Sequence, residues 1–317
     1  MSTAETAHAD VDTRRTPGLV PVVETLRTAE RHPQEGAVAP LPPARTPWAF
    51  WRLLGSELGL TFRRPRNLGI LAVLACVPIL FGVGLRLAAG SDDRMGGLIG
   101  AVAGNGLMLT FLSFSFLVLL LMPVAVSVVA GDSIAGEAGG GTLRYLLAAP
   151  AGRTRLLVVK YLNAVVFAYA VTAVVALSAL LTGLVLFPVG EVTLLSGTTI
   201  SVADGLLRIL ITIGYVGAGM AALAAVALAL STFTEVSIGA IAATMVLVIV
   251  CQVLRAIPQL DGLTPYLLPT WFTRFDAVLR SPISVGDLAQ GLLAFGSYIV
   301  LFFSIAWARF SGKDITS

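Results

Sequence analysis

The residue types that catalysis or metal binding needs are scarce in this sequence. Its two histidines, His8 and His32, both lie within residues 1–45, ahead of the apolar part of the chain. Neither a Ser–His pair nor a histidine-bearing metal site can therefore form among the apolar segments, and paired carboxylates are missing from them too. Cys76 and Cys251 lie inside apolar runs, where a thiol behaves as a small hydrophobic group. We expect no catalytic residue, no metal site and no disulfide.

A polar stretch at residues 131–162, GDSIAGEAGGGTLRYLLAAPAGRTRLLVVKYL, separates two apolar runs. Three glycines at 139–141 disfavour a continuing helix. Thr142 is a candidate N-cap for a short helix that Pro150 ends. Leu143, Leu146 and Leu147 share one face of that helix. From these residues alone, the segment is either a docking helix for another protein or an interfacial helix on lipid headgroups.

The composition predicts an integral membrane protein. Hydrophobic residues make up 56% of the 317 positions and charged residues only 12%, about half of the charged fraction in a soluble domain. A formal net charge of +3 without one basic patch excludes nucleic acid as the expected partner. Residues 1–45 contain no apolar segment of a signal peptide and are predicted to be a disordered cytoplasmic tail.

Six apolar runs are long enough to cross a bilayer, which takes about 20 residues each. Together they form the predicted permease region, residues 67–310. Pro78 and Pro123 are expected to kink the first two. The third, from Leu156 to Phe187, exceeds the hydrocarbon thickness, so its first turns with Lys160 and Asn163 are expected to protrude toward the cytosol. The runs are residues 68–89, 106–131, 158–187, 206–230, 236–257 and 288–308.

Basic residues near the span ends predict that both termini, including the tail 311–317, are cytoplasmic, with RRPR at 63–66 as the strongest cluster. Ahead of it, residues 46–66 predict an amphipathic helix on the inner membrane surface, with Thr46 as N-cap and Glu57 off the apolar face. The alternative is the start of a long first span. The apolar face comprises Trp48, Trp51, Leu54, Leu58 and Phe62.

The residues from Asp132 to Lys160 resemble the signature of the permease subunits of type 2 ATP-binding cassette (ABC-2) exporters. The likeness consists of an acidic residue, then Ile, Gly-Glu, Gly-Thr-Leu, Leu-Leu, Pro, Arg and a later Lys. With the six-span layout, the resemblance covers roughly residues 46–310. It implies an all-α integral membrane fold with six transmembrane helices, an N-terminal amphipathic interfacial helix and a cytoplasmic coupling helix.

The resemblance also implies roles for residues of the coupling loop, 132–155. The segment Thr142–Leu147 would be the coupling helix, docked on a separate ABC ATPase subunit, and the Glu137 region would join that contact. Glu235, in the turn STFTEVS, would make a second contact with the ATPase or simply cap the fifth span. The expected ATPase-coupling residues are Asp132, Glu137, Thr142, Leu143, Arg144, Leu146, Leu147, Arg153 and Glu235.

The sequence contains no G-x-x-x-x-G-K-[ST] phosphate-binding loop around either of its two lysines. ATP and magnesium are therefore expected on the partner ATPase, and this chain binds no cofactor of its own. Since the resembling machines use two ATPases, a permease homodimer is the simplest expectation, with a sister permease as the alternative.

Candidates for the substrate path are polar or aromatic residues in the second and fifth spans, which face the dimer axis in the resembling family. They are Phe111, Ser113, Phe114, Ser115 and Gln252. Serines in membrane helices more often bond their own backbone, and that alternative stays open here. Asn163 and Tyr161 are expected to fix contacts between helices. The outer segment 258–287, with prolines and aromatic residues, predicts short re-entrant helices that either gate the path or form a packed cap.

Function is then predicted as ATP-driven export of a lipophilic substrate, such as a drug, an antibiotic or a lipid, across the cell's inner (plasma) membrane. We expect a lipophilic substrate because the candidate path residues include no charged side chain near the membrane midplane. The alternative is an ion-driven secondary transporter or channel, although the internal repeats and midplane carboxylates typical of such proteins are not found in the sequence.

Overall fold

A computed structural model describes residues 48–88, 105–141, 152–188, 190, 192–193 and 198–312. Most of this part of the chain is helical, with two short antiparallel strands, β1 (Val192–Thr193) and β2 (Thr199–Ile200). Two 3₁₀ helices, Pro258–Tyr266 and Thr273–Leu279, precede and follow α8. The α-helices are α1 (Trp48–Arg63), α2 (Pro65–Ala88), α3 (Met108–Leu117), α4 (Leu121–Gly139), α5 (Arg153–Leu186), α6 (Val202–Phe233), α7 (Ser237–Arg255), α8 (Leu268–Phe272) and α9 (Val285–Ser311).

Six of these helices, α2, α4, α5, α6, α7 and α9, are long and apolar enough to cross a membrane. The prediction of an all-helical fold with six such helices is confirmed. By length and composition the chain is a multi-pass membrane protein. Many large apolar side chains of α2, α7 and α9 remain exposed, as expected for helices that face lipid or another apolar surface.

The second predicted run, 106–131, is not one helix. α3 ends at Leu117, a turn follows over residues 118–120, and α4 starts at Leu121. Pro123 lies in the first turn of α4 and has no N–H to bond the carbonyl of Leu119, so the chain breaks here instead of kinking. The amide of Gln252 on α7 donates to that carbonyl of Leu119. α4 then continues eight residues beyond the predicted end, to Gly139.

α6 is the central helix and packs against α4, α5, α7 and α9. Its small residues allow this close approach. A Cβ atom on Gly219 would lie 2.9 Å from the Phe295 ring of α9, and one on Gly217 would lie 2.4 Å from the Tyr169 ring of α5. Tyr161 of α5 also donates from its hydroxyl to the carbonyl of Ala221 on α6, which confirms the expected helix contact.

The chain between α7 and α9 consists of short helices, as predicted, and its carbonyls accept hydrogen bonds from the long helices. Arg208 of α6 is buried and donates to the carbonyls of Val278 and Arg280. Tyr215 of α6 donates to the carbonyl of Trp271 at 2.9 Å, and Arg255 of α7 to that of Pro269 at 3.0 Å. Phe272, Phe275 and Leu279 are buried in the core, so the segment packs against the bundle. A re-entrant position in the outer leaflet stays a prediction.

Several predictions fall outside the described residues. These are the tail 1–45, the N-cap Thr46, most of the coupling loop (residues 142–151) and the tail residues 313–317.

Candidate functional site: a charged cavity at one end of the bundle

A charged cavity of about 300 Å³ lies where four helices meet. α1 contributes its C-terminal half, α2 its first turn, α4 its last three turns, and α5 its second and third turns. The cavity lies beside the end of α4, and Gly140, the residue after α4, is part of its lining. Its charged lining residues are Glu57, Arg64, Arg66, Asp132, Glu137 and Lys160.

Lys160 of α5 is the buried cation of this cavity, with only 3% of its side chain exposed. Its Nζ atom lies 2.5 Å from Glu137 Oε1 of α4 and 3.6 Å from Glu57 Oε2 of α1. One cation therefore connects three helices. Lys160 and Asn163 are buried because α1 and α4 cover the first turns of α5. That these turns extend beyond the membrane toward the cytosol stays a prediction.

Asp132 of α4 forms the second charged group of the cavity. Its Oδ2 atom accepts from Arg66 Nη2 at 2.7 Å and from Arg64 Nη1 at 3.3 Å. Both arginines belong to the RRPR sequence, where α1 ends and α2 begins. The pairs fix the junction between α1 and α2 to α4.

Neutral polar side chains complete the contact between α1 and α5. Asn163 Nδ2 donates to Thr61 Oγ1 at 2.8 Å, and Asn67 Nδ2 donates to the Thr61 carbonyl at 2.9 Å. All three side chains are buried. The expected role of Asn163 in fixing a helix contact is confirmed.

Glycines of the GEAGGG sequence allow the close approaches around this cavity. A Cβ on Gly136 would lie 2.4 Å from Asp132 Oδ1, so any larger residue would displace the carboxylate. A Cβ on Gly139 would lie 2.7 Å from the carbonyl oxygen of Glu235, in the turn between α6 and α7. Gly141 has φ +69°, a conformation that glycine adopts at little cost. Glycine thus ends α4, as the sequence predicts.

The hydroxyl of Ser231 on α6 inserts into the backbone of α4 just before the cavity. It donates to the carbonyl of Gly131 at 2.7 Å and accepts from the N–H groups of Ile134 and Ala135 at 3.2 and 2.8 Å. A side chain that inserts between the N–H and C=O groups of an i→i−4 backbone hydrogen bond is a known cause of helix bending. The last turns of α4 are therefore fixed to the central helix.

The structure brings some of the predicted coupling residues together. Asp132 and Glu137 line the cavity. Arg153, at the start of α5, donates to the carbonyl of Ser311 at the end of α9 at 2.8 Å. Glu235 is exposed beside the end of α4. The other five, Thr142, Leu143, Arg144, Leu146 and Leu147, lie outside the described residues.

The predicted substrate-path residues are not on one surface. Phe111, Ser113 and Phe114 are buried in the core of the bundle, whereas Ser115 is exposed and donates to the Phe111 carbonyl at 2.9 Å. That hydrogen bond is the backbone role left open for serine. Gln252 binds the carbonyl of Leu119. A role of these residues in substrate passage stays a prediction.

Sequence reasoning missed Glu57 as a partner of Lys160. The helical period separates Glu57 from Trp48, Trp51 and Phe62 but does not indicate which residue of another helix it contacts. In the structure Trp48 and Trp51 are exposed, while Glu57 turns toward α5. A lysine within an apolar run was the available signal, since a buried cation needs a carboxylate partner.

The family profile named "Protein of unknown function (DUF2705)" matches residues 95–316, more than two thirds of the 317 residues. The chain belongs to the DUF2705 family. A comparison with curated proteins finds no match.

The DUF2705 match includes α3 to α9, and with them Asp132, Glu137 and Lys160. It begins after α1 and α2, which supply Glu57, Arg64 and Arg66. The cavity is thus built partly from the DUF2705 region and partly from the helices ahead of it. Within the described residues, no group of three or more His, Cys, Asp or Glu side chains is arranged to hold a metal ion.

Proposed function

We propose that this chain is the permease subunit of an ABC-2 exporter, driven by a separate ABC ATPase. The observation that supports the proposal is the charged cavity. It joins α1, α4 and α5 through Glu57, Glu137 and Lys160, next to the segment that resembles a coupling helix. A force that moves residues 142–151 would therefore move α1, α4 and α5 together.

The described contacts suggest how such a force would spread. α4 is fixed to the central helix α6 by Ser231, and the start of α5 is fixed to the end of α9 by Arg153. Trp307 of α9 also donates to Thr154 Oγ1 at 3.0 Å. Movement of the loop between α4 and α5 would then tilt helices on both sides of the bundle. In this proposal Asp132, Glu137, Arg153 and Glu235 support the ATPase contact.

α1 is proposed to lie on the cytoplasmic membrane surface. Trp48 and Trp51 are 74% and 64% exposed, and Arg52 and Arg63 are exposed as well. Tryptophan and arginine are typical of helices at the boundary between headgroups and acyl chains. The inward face of α1, with Leu54 and Thr61, packs on the bundle.

The remaining parts of the proposal concern assembly and substrate. The permease is proposed to work as a homodimer, or with a sister permease, in the plasma membrane with both termini cytoplasmic. The exposed apolar faces of α2 and α7 leave room for such a contact. The proposed substrate is a lipophilic molecule, and ATP with magnesium binds only to the partner.

The decisive experiment purifies the full chain in mild detergent from its own source and asks whether an ATP-hydrolysing ABC protein accompanies it. We expect copurification, with ATPase activity that a panel of lipophilic compounds stimulates. Glu137→Ala and Leu143→Asp should release the ATPase or uncouple its activity, while Asp287→Ala, at the start of α9, should do neither. Transport that runs on an ion gradient without any ATPase would overturn the proposal.

A further inference from the structure

The charged cavity has two halves of opposite formal charge. At its mouth, Arg64 and Arg66 share the single carboxylate of Asp132, and these arginine side chains are 55% and 47% exposed. Deeper inside, Glu57 and Glu137 share the buried ammonium of Lys160. The mouth therefore carries an excess of one positive charge and the interior an excess of one negative charge.

Asn163 leaves an acceptor without a donor in the deep half. The residue is only 5% exposed, and its Nδ2 atom already donates a hydrogen bond to Thr61 Oγ1. Its Oδ1 atom is buried and has no hydrogen-bond partner within the described part of the chain. Buried acceptors are normally satisfied. The cavity volume, about 300 Å³, is far above the roughly 10–15 Å³ that one water molecule needs. A ligand that donates hydrogen bonds would satisfy this acceptor and would fit in the cavity.

The length of α2 predicts that the cavity lies at the level of lipid headgroups. Arg64 and Arg66 flank Pro65, the first residue of α2, and the 24 residues of α2 extend about 36 Å, slightly more than the hydrocarbon core of a bilayer. One end of this apolar helix therefore lies at a membrane boundary. Phosphate groups are present there at high density, and arginine binds phosphate well.

We propose that the cavity binds the headgroup of a phospholipid that carries a phosphate and a primary ammonium, as phosphatidylethanolamine does. The phosphate contacts Arg64 and Arg66 at the mouth. The ammonium enters the deep half and donates to Asn163 Oδ1 and to Glu57. A primary ammonium has three N–H donors for these acceptors, whereas the trimethylammonium of phosphatidylcholine has none. This inference rests on the cavity alone and does not require a partner ATPase.

The test titrates the full chain in detergent with short-chain phosphatidylethanolamine, phosphatidylcholine and phosphatidylglycerol, with binding read by native mass spectrometry. We expect phosphatidylethanolamine to bind about tenfold more tightly than the other two lipids. Free O-phosphoethanolamine, which has no acyl chains, should bind more weakly than the lipid. Equal affinity for the three lipids would overturn the proposal, and so would free phosphoethanolamine binding as tightly as the lipid.

Variants assign the binding to the cavity. Arg64→Gln should weaken phosphatidylethanolamine about tenfold, whereas Arg280→Gln should not, although Arg280 forms a similar pair with Asp287 (3.4 Å, 58% exposed) at the start of α9. Glu57→Gln should remove the preference over phosphatidylcholine, and Asp287→Asn should retain it. The proposal fails if the cavity variants and their controls bind alike. The lipid comparison in the unmodified chain decides the question even where a variant does not fold.

Discussion

Lys160 illustrates how a single residue can determine the packing of three helices. Its ammonium is buried against two carboxylates whose side chains are only 17% and 24% exposed. Removing such charges from water is costly, and only close pairing offsets the cost. Loss of the cation alone would leave Glu57 and Glu137, both mostly buried, repelling each other.

We predict that Lys160→Met destabilises the protein by about 3 kcal/mol, the lower limit for breaking a buried ion pair. The lower limit applies because the carboxylates keep some contact with water. Thermal unfolding in detergent measures this loss, and we expect a lower midpoint temperature for the variant. The triple variant Lys160→Met, Glu57→Gln, Glu137→Gln removes all three charges and should recover most of the loss. A single variant as stable as the unmodified protein would contradict this account.

Gly136 provides a second prediction at the scale of one residue. A methyl group there would lie 2.4 Å from Asp132 Oδ1, so Gly136→Ala must move the carboxylate whose other oxygen accepts from Arg66. We expect a loss of about 1–3 kcal/mol, the typical effect of overpacking. Gly84→Ala in α2 is the matched control, since nothing lies within 4 Å of its added methyl group. The control should be neutral or slightly stabilising, because alanine favours the helix. Equal unfolding midpoints for the two variants would refute the prediction.

At the scale of elements, the break between α3 and α4 depends on a long-range hydrogen bond. Pro123 cannot donate to the carbonyl of Leu119, and the Gln252 side chain of α7 does so instead. Together, Pro123 and Gln252 hold the second span in two pieces. The sequence shows the proline but not the partner that stabilises the break.

A double-mutant cycle tests this pair. Gln252→Leu should cost about 1–3 kcal/mol, because it leaves a carbonyl without its donor. In a Pro123→Ala background the new backbone N–H can reach Leu119, so the same substitution should cost clearly less. Thermal unfolding of the four proteins gives the coupling. If the two losses simply add, Gln252 has no such role.

The same elements show what the sequence can and cannot predict. Apolar runs locate all six long helices, because a membrane demands about 20 apolar residues for each span. The end of α4 at three glycines also follows from local chemistry. The break at residues 118–120 does not, since membrane helices tolerate proline. The contact of Glu57 with Lys160 joins residues that are distant in sequence, so the helical period of α1 alone does not predict it.

For the whole molecule, the cluster of charged side chains that line the cavity lies at one end of the bundle. The cavity, the start of α5 and the end of α9 lie together there, since Arg153 contacts Ser311. The opposite end of α9 carries Asp287 and the segment between α7 and α9. The arginine clusters predict that the first of these ends faces the cytosol. The asymmetry provides a direct test of orientation.

We predict that a cysteine at Ser196, between α5 and α6, reacts with a membrane-impermeant thiol reagent in intact cells. A cysteine at Ser311, beside Arg153, should react only after the cells are broken. Both cysteine variants are made in a chain whose Cys76 and Cys251 are replaced by serine. Cys76 is exposed and Cys251 partly exposed, so either could react with the reagent. The reverse pattern would place the charged cavity outside the cell, where no ATPase could contact it, and would exclude the proposed coupling while leaving the six-helix fold unchanged.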